Sequence, residues 1–195
     1  MVEIYRTDQQ VLSTLPDIQD GCWINMVDPT SKELEQIAER FEIEPEDIAS
    51  ALDEEESSRI SLEDGYTLIL VDIPTPEVRH EKKMYTTIPL GIILKSDAII
   101  TVCKVDTPII NYFIRNKVRE FSTKKKMRFI YQMLFRSAFV YQANLRLIDK
   151  KRIEIEERVD GDTSDTDLIE LHELESTLVY FATSLRANSI VLERL

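Results

Sequence analysis

A chain of 195 residues, 43% of them apolar, is long enough to bury the core of one domain. Its formal charge of −12 repels nucleic acid and anionic lipid and attracts cations, which sets DNA and RNA aside as partners. No stretch approaches the ~18 uncharged apolar residues of a membrane helix, and the opening Met-Val-Glu-Ile-Tyr-Arg lacks the apolar core of a signal peptide, so synthesis in the cytosol is expected.

Taken in chain order, residues 2–6 and 22–27 alternate as strands do, and Asp28-Pro29-Thr30-Ser31 then breaks the run and caps a helix. That helix presents Leu34, Ile37, Ala38 and Phe41 on one face, with Glu33 and Glu35 near its positive end. Pro45 opens a second short helix whose inner face is Ile48, Ala49 and Leu52. The acidic run Asp53 to Glu56 follows. Residues 59–63 and 66–73 read as two strands around the turn Asp64-Gly65, and Pro74-Thr75-Pro76 is expected to end the second. Residues 85–95 and 98–104 form another pair around Ser96-Asp97. Thr107-Pro108 supplies a cap and a first-turn proline for a helix carrying Ile109, Ile110, Phe113 and Val118. The two cysteines, Cys22 and Cys103, lie in strand-like apolar runs and read as small core side chains.

The last third changes period. Apolar residues at alternating four and three spacing run from Met127 through Tyr131, Leu134, Ala138, Tyr141, Leu145, Ile148 and Ile155 to Val159, with Arg152 the one charge among them. A second seam runs Leu171, Leu174, Leu178, Phe181, Leu185, Asn188, Leu192, Leu195. Between them, residues 160–167 contain no apolar side chain, offer Gly161 for the helix exit and Ser, Thr and Asp for the next cap. Two long helices folding back antiparallel are therefore expected, the first roughly 50 Å long. Asn188 is expected to set register or meet a partner on the first helix, so that Asn188→Leu would raise stability. The fold class is α/β: a mixed sheet sandwiched by helices over 1–122, followed at 123–195 by a long antiparallel helical hairpin packed on it.

Catalytic chemistry finds little to build on. The only histidines, His80 and His172, have no Cys, His or carboxylate partners at a ligand spacing, and four glycines cannot assemble a phosphate-cradling loop. The Asp-rich turn at Asp160 fails as a calcium loop, because its twelfth position is Leu171 where a bidentate Glu is needed. No enzyme is expected. The run at Asp53 to Glu56 reads either as a solvated helix end or as a weak divalent-cation site, since Mg²⁺ keeps most of its waters and needs one or two carboxylates.

The fragments Trp23-Ile24-Asn25-Met26-Val27-Asp28-Pro29-Thr30, Glu33-Leu34, Phe41, Ile43-Glu44-Pro45, Ser58-Arg59-Ile60, residues 66–71, Ile99-Ile100-Thr101-Val102 and residues 148–156 come in an order that resembles the CorA-like divalent cation transporters, over essentially the whole chain. The likeness is to their cytosolic N-terminal domain. It implies a regulatory part of a Mg²⁺ or Co²⁺ transporter, a homopentamer held in the cell (inner) membrane by segments that would follow Leu195, with this portion on the cytoplasmic side and weakly bound Mg²⁺ at subunit interfaces. Where relatives carry a Glu-Asp pair in the second short helix, this chain has Ala49 and Ser50, and acidic positions of the first long helix fall at Phe139 and Val140. Asp53 and Glu54 are the substitutes on position. A zinc or other transition-metal transporter of the same family, or a soluble helical-hairpin scaffold, are the alternative readings.

Overall fold

A computed structural model describes residues 1–79, 82–159 and 165–195, and the side chains of all of these except 78, 79, 82, 83, 158, 159 and 165. His80 and most of the Asp160 turn lie outside the described residues.

Seven strands make one mixed sheet: β1 (Val2–Asp8), β2 (Val11–Leu15), β3 (Cys22–Val27), β4 (Arg59–Glu63), β5 (Tyr66–Arg79), β6 (Lys82–Leu94) and β7 (Ala98–Cys103). They lie in the order β2-β1-β3-β7-β6-β5-β4, with β3 and β7 parallel and every other pair antiparallel. Because side chains alternate across a strand, the sheet has two apolar faces. Ile24, Met26, Leu68, Leu70, Ile100 and Val102 point to one, covered by α1 (Ser31–Phe41) and α2 (Pro45–Ser50). Trp23, Ile69, Val71, Leu90, Ile92 and Ile99 point to the other, covered by α3 (Pro108–Ile114), α4 (Lys126–Val159) and α5 (Asp165–Arg194).

Local chemistry starts α1 and α3 as the sequence predicts. Thr30 caps α1 through a reciprocal capping box with Glu33, and the Thr107 hydroxyl accepts the N–H groups of Ile109 and Ile110 at the head of α3. The α2 end packs so closely on β6 that a Cβ at Gly91 would stand 2.6 Å from that of Ala51.

Three expectations are corrected. The strand β2 has no counterpart in the sequence reading: its turn is made by Gln9 and Gln10, both at positive φ (46° and 68°), without the Asn or Gly that marks such turns. Pro74 and Pro76 do not end β5, which continues to Arg79. The amide of Asp72 points away from β6, toward Asn188, and the pleat gives positions 74 and 76 the same direction, so neither proline removes a ladder bond.

The third correction concerns the hairpin seam. Tyr141, Ile148 and Ile155 of α4 are buried against Leu174 and Phe181 of α5 as expected, and the Tyr141 and Phe181 rings meet edge to face at 5.0 Å. Nearer the sheet, the buried face of α4 is Phe129, Ile130, Met133 and Ser137, whereas Met127, Tyr131 and Ala138 are exposed. On α5, Leu178, Leu185 and Leu192 face solvent, and Thr177, Ser184, Asn188 and Val191 are buried. These small polar residues are chosen by the sheet: Thr177 donates to the Tyr85 carbonyl (3.1 Å) and Ser184 to the Thr87 hydroxyl (2.9 Å).

Candidate functional site

Asp53 and Glu54 stand in the turn after α2, both exposed. The Asp53 carboxylate accepts the N–H of Glu55 at 3.0 Å. Glu54 accepts from the Lys104 ammonium at 2.7 Å, a residue fifty positions away that the end of β7 delivers. The hydrogen bond and charge of Glu54, with smaller effects of Asp28 and Asp53, hold Lys104 above the ordinary lysine range. A lysine ammonium therefore already occupies this acidic corner. Among the described residues no three carboxylates, thiols or imidazoles converge as a metal cluster. The donor set is one or two hard oxygens, which suits a hydrated Mg²⁺, and such an ion would displace Lys104 from Glu54. Ala49 and Ser50 are half-buried in α2, where the Ser50 hydroxyl donates to the Asp47 carbonyl (2.8 Å). Phe139 is exposed on α4 and Val140 packs on the core. Burial pushes the Cys103 thiol up to about 11, consistent with its core reading.

A polar joint fastens the hairpin to the sheet. Past Leu70, β5 has no strand beside it on the side away from β6. There the Asn188 amide takes the place of a strand: its Oδ1 accepts the Asp72 N–H (2.9 Å) and its Nδ2 donates to the Asp72 carbonyl (2.8 Å). Ser58 donates to the same Oδ1 at 3.0 Å, and the buried Tyr141 hydroxyl of α4 donates to the Asp72 carbonyl at 3.1 Å. Both long helices thus converge on one residue of β5. Among the described residues Asn188 has no hydrogen bond to α4, contrary to expectation, because Asp72 and Ser58 supply its partners. Burial pushes the Asp72 carboxyl above its usual range, with the Ser184 and Ser58 hydroxyls pulling the other way. At the opposite edge, Asn116 does the same service for β2: its Oδ1 accepts the Leu12 N–H (2.7 Å) and its Nδ2 donates to the Leu12 carbonyl (3.4 Å).

A third feature was missed in the sequence. Between α3 and the first turns of α4 runs a groove of about 1230 Å³, floored by Tyr131, Leu134, Phe135 and Phe139 and rimmed by basic side chains. A run of lysines and arginines at 115–136 signals it, but the net charge of −12 conceals it.

A mixed sheet between helical layers, carrying a hairpin longer than the sheet is wide, defines a helix-sandwiched α/β module, and no helix among the described residues is long and apolar enough to cross a membrane. Residues 19–195 match the family model of the CorA-like Mg²⁺ transporter protein, and the chain belongs to that family. Its similarity to the cobalt/magnesium transport protein CorA of Methanocaldococcus jannaschii is 26% identity over 179 residues, 87% of this chain and 53% of that protein. The chain thus spans about half the length of that curated relative. The fold is that of the soluble domain of CorA from the same organism (TM-score 0.84, 24% identity, 98% of this chain and 77% of that one). A weaker likeness extends to the ZntB cytoplasmic domain from Vibrio parahaemolyticus (TM-score 0.69, 11% identity, 98% and 77%).

Proposed function

We propose that this chain is the regulatory portion of a Mg²⁺ or Co²⁺ transporter, lying on the cytoplasmic side of the membrane and sensing intracellular divalent cation where subunits meet. The observation that carries the reading is the family match over 19–195, together with the fold shared with a CorA soluble domain. It does not act as an enzyme in this reading: it works by population shift, cation favouring a closed homopentamer and loss of cation letting the subunits move apart. Asp53 and Glu54 are the proposed ligands, chosen on position for their hard oxygen donors, with Lys104 paired to Glu54. With Cys22 and Cys103 both buried, the hard-cation reading is favoured over a soft-metal one.

Weak sites suffice energetically. Five sites at about ten times their dissociation constant each contribute about 1.4 kcal/mol, about 7 in all. Moving a two-state equilibrium from 1:99 to 99:1 takes about 5.5 kcal/mol. Millimolar Mg²⁺ is expected to raise the melting temperature of the chain modestly, and the double variant Asp53→Asn/Glu54→Gln to lose that response while folding normally. A wild-type chain that shows neither heat in titration calorimetry nor a melting shift defeats cation sensing by this unit.

A further inference from the structure

Asp72 stands where both long helices are tied to the sheet, and its neighbours along β5, Val71, Ile73 and Pro74, are buried and apolar. Its backbone makes three hydrogen bonds with the hairpin, two with the Asn188 amide and one with the Tyr141 hydroxyl. Its half-buried side chain lies against the Ser184 and Ser58 hydroxyls. A carboxylate only accepts hydrogen bonds, whereas a neutral carboxyl group also donates one.

The hydrogens that a carboxylate needs at this place are already committed. Each hydroxyl has a single hydrogen: that of Ser58 goes to the Asn188 Oδ1 (3.0 Å), that of Ser184 to the Thr87 hydroxyl (2.9 Å), and that of Tyr141 to the Asp72 carbonyl (3.1 Å). Both serine oxygens keep lone pairs free to accept. Nor do the surrounding elements supply a compensating cation among the described residues. The face of α5 toward β5 and β6 is Thr177, Ser184 and Asn188, all uncharged. From β6 come Tyr85, Thr87 and Pro89, and from α4 comes Tyr141, its Arg136 being stacked on the Tyr112 and Phe139 rings. In the turn between α2 and β4, Asp53, Glu54 and Glu55 are exposed, and half-buried Glu56 and Arg59 pair with each other. No charge among these offsets the burial that raises the Asp72 carboxyl. A neutral carboxyl fits the joint by donating to a serine oxygen; an ionised one stands there as a buried charge without a donor.

We propose that the Asp72 carboxyl is a proton-operated latch between the hairpin and the sheet: uncharged, it holds α4 and α5 on the margin of β5, and charged, it draws water into the joint and frees the hairpin there. Water entering for the carboxylate competes for the Asn188 and Tyr141 hydrogen bonds, so one proton controls the attachment of both helices. By linkage, the attachment is complete below the ordinary carboxyl range, where closed and open joints are both protonated, and weakens as pH rises toward the value of the closed joint. Within that window each pH unit shifts the opening equilibrium about tenfold. The latch is separate from cation sensing: Asp72 is not one of the proposed ligands, and the joint responds to protons with no divalent cation present.

The test is hydrogen exchange on the full 195-residue chain without divalent cation, read as protection factors so that the intrinsic pH dependence of exchange cancels. The Asp72 amide, bonded to Asn188, and the α5 amides around Ser184 and Asn188 are expected to be less protected than those of β3 and β7 at every pH. Through the window they are expected to lose protection about tenfold per pH unit and then level off. Asp72→Asn, uncharged at every pH and able to donate to a serine oxygen, is expected to hold the joint's protection constant. A wild-type joint whose protection is constant or rises with pH, a joint no less protected than β3 and β7, or a variant with the pH dependence of wild type overturns the latch. Where the variant fails to fold, carbon NMR of the wild-type Asp72 carboxyl decides. Its titration is expected to coincide with the loss of protection; titration in the ordinary carboxyl range, or out of step with that loss, overturns the proposal.

Discussion

Around Trp23 the rings of Tyr5, Phe113, Phe121 and Phe129 gather with centroids 5.0 to 6.5 Å from the indole, and its Nε1 donates to Thr101 at 2.8 Å. Along the hairpin, by contrast, a cluster of five buried residues (Tyr141, Ile148, Ile155, Leu174 and Phe181), with Tyr85 of β6 packed against it at the sheet end, holds the two helices together, and Leu147, Ile153, Leu168, Ile169 and Val179 remain exposed nearby. The sheet end is covered on both faces and locked by aromatic contacts; the hairpin end is a two-helix rod with a thin core. The difference assigns rigidity to the sheet and compliance to the rod, with the Asn188 and Tyr141 bonds to Asp72 as the joint between them.

The sharpest break of this contrast is at Trp23. Trp23→Ala is expected to cost about 3–5 kcal/mol in denaturant melts and to loosen the whole molecule. Phe181→Ala should cost less, about 3 kcal/mol, and hydrogen exchange should locate the loss in the hairpin while sheet amides keep their protection. Equal loss of protection in both regions would show that rod and sheet unfold as one unit. At the joint, Asn188→Leu removes both bonds to the Asp72 backbone and is expected to destabilise by about 1–3 kcal/mol, the opposite of what a seam asparagine predicts. Thermal melts of that variant decide the matter, and a gain in stability would mean the amide is not a clamp.

The smallest effect belongs to the Asp72 carboxyl. Its raised value means that the folded chain holds the proton more tightly than the unfolded chain. That contribution to stability is complete below the ordinary carboxyl range and is lost as pH rises through the raised value. Asp72→Asn is therefore expected to melt slightly higher than wild type at neutral pH and to show a flatter pH dependence. A variant melting lower at neutral pH would mean that the carboxylate form is the one the joint prefers.

What the sequence discloses follows from which forces are local. The helix cap within Asp28-Pro29-Thr30-Ser31, the Asp64-Gly65 turn and the Thr107-Pro108 helix start are written within four residues and were legible. So were the strand-like apolar runs of β3 and β7. The passage of β5 through Pro74 and Pro76 was not, because it depends on which side of the strand lacks a neighbour, and that is set by β4 ending early. The facing of α5 was misjudged for a related reason: Thr177, Ser184 and Asn188 look like solvent residues until Tyr85, Thr87 and Asp72 are brought beneath them. At the candidate site, Asp53 and Glu54 could be picked as acids, but the arrival of Lys104 required the sheet. The basic groove lay open in the chain as a charge run and was averaged away by the total.

The asparagine pair has a consequence for how this molecule behaves in a crowded solution. Bare backbone on a sheet margin invites a foreign strand to add itself, and repeated addition spins out fibres. With Asn116 seated on Leu12 and Asn188 on Asp72, two stretches of margin are already spoken for by side chains of the same molecule, so exchange of strands between neighbours is blocked there even when the protein is concentrated.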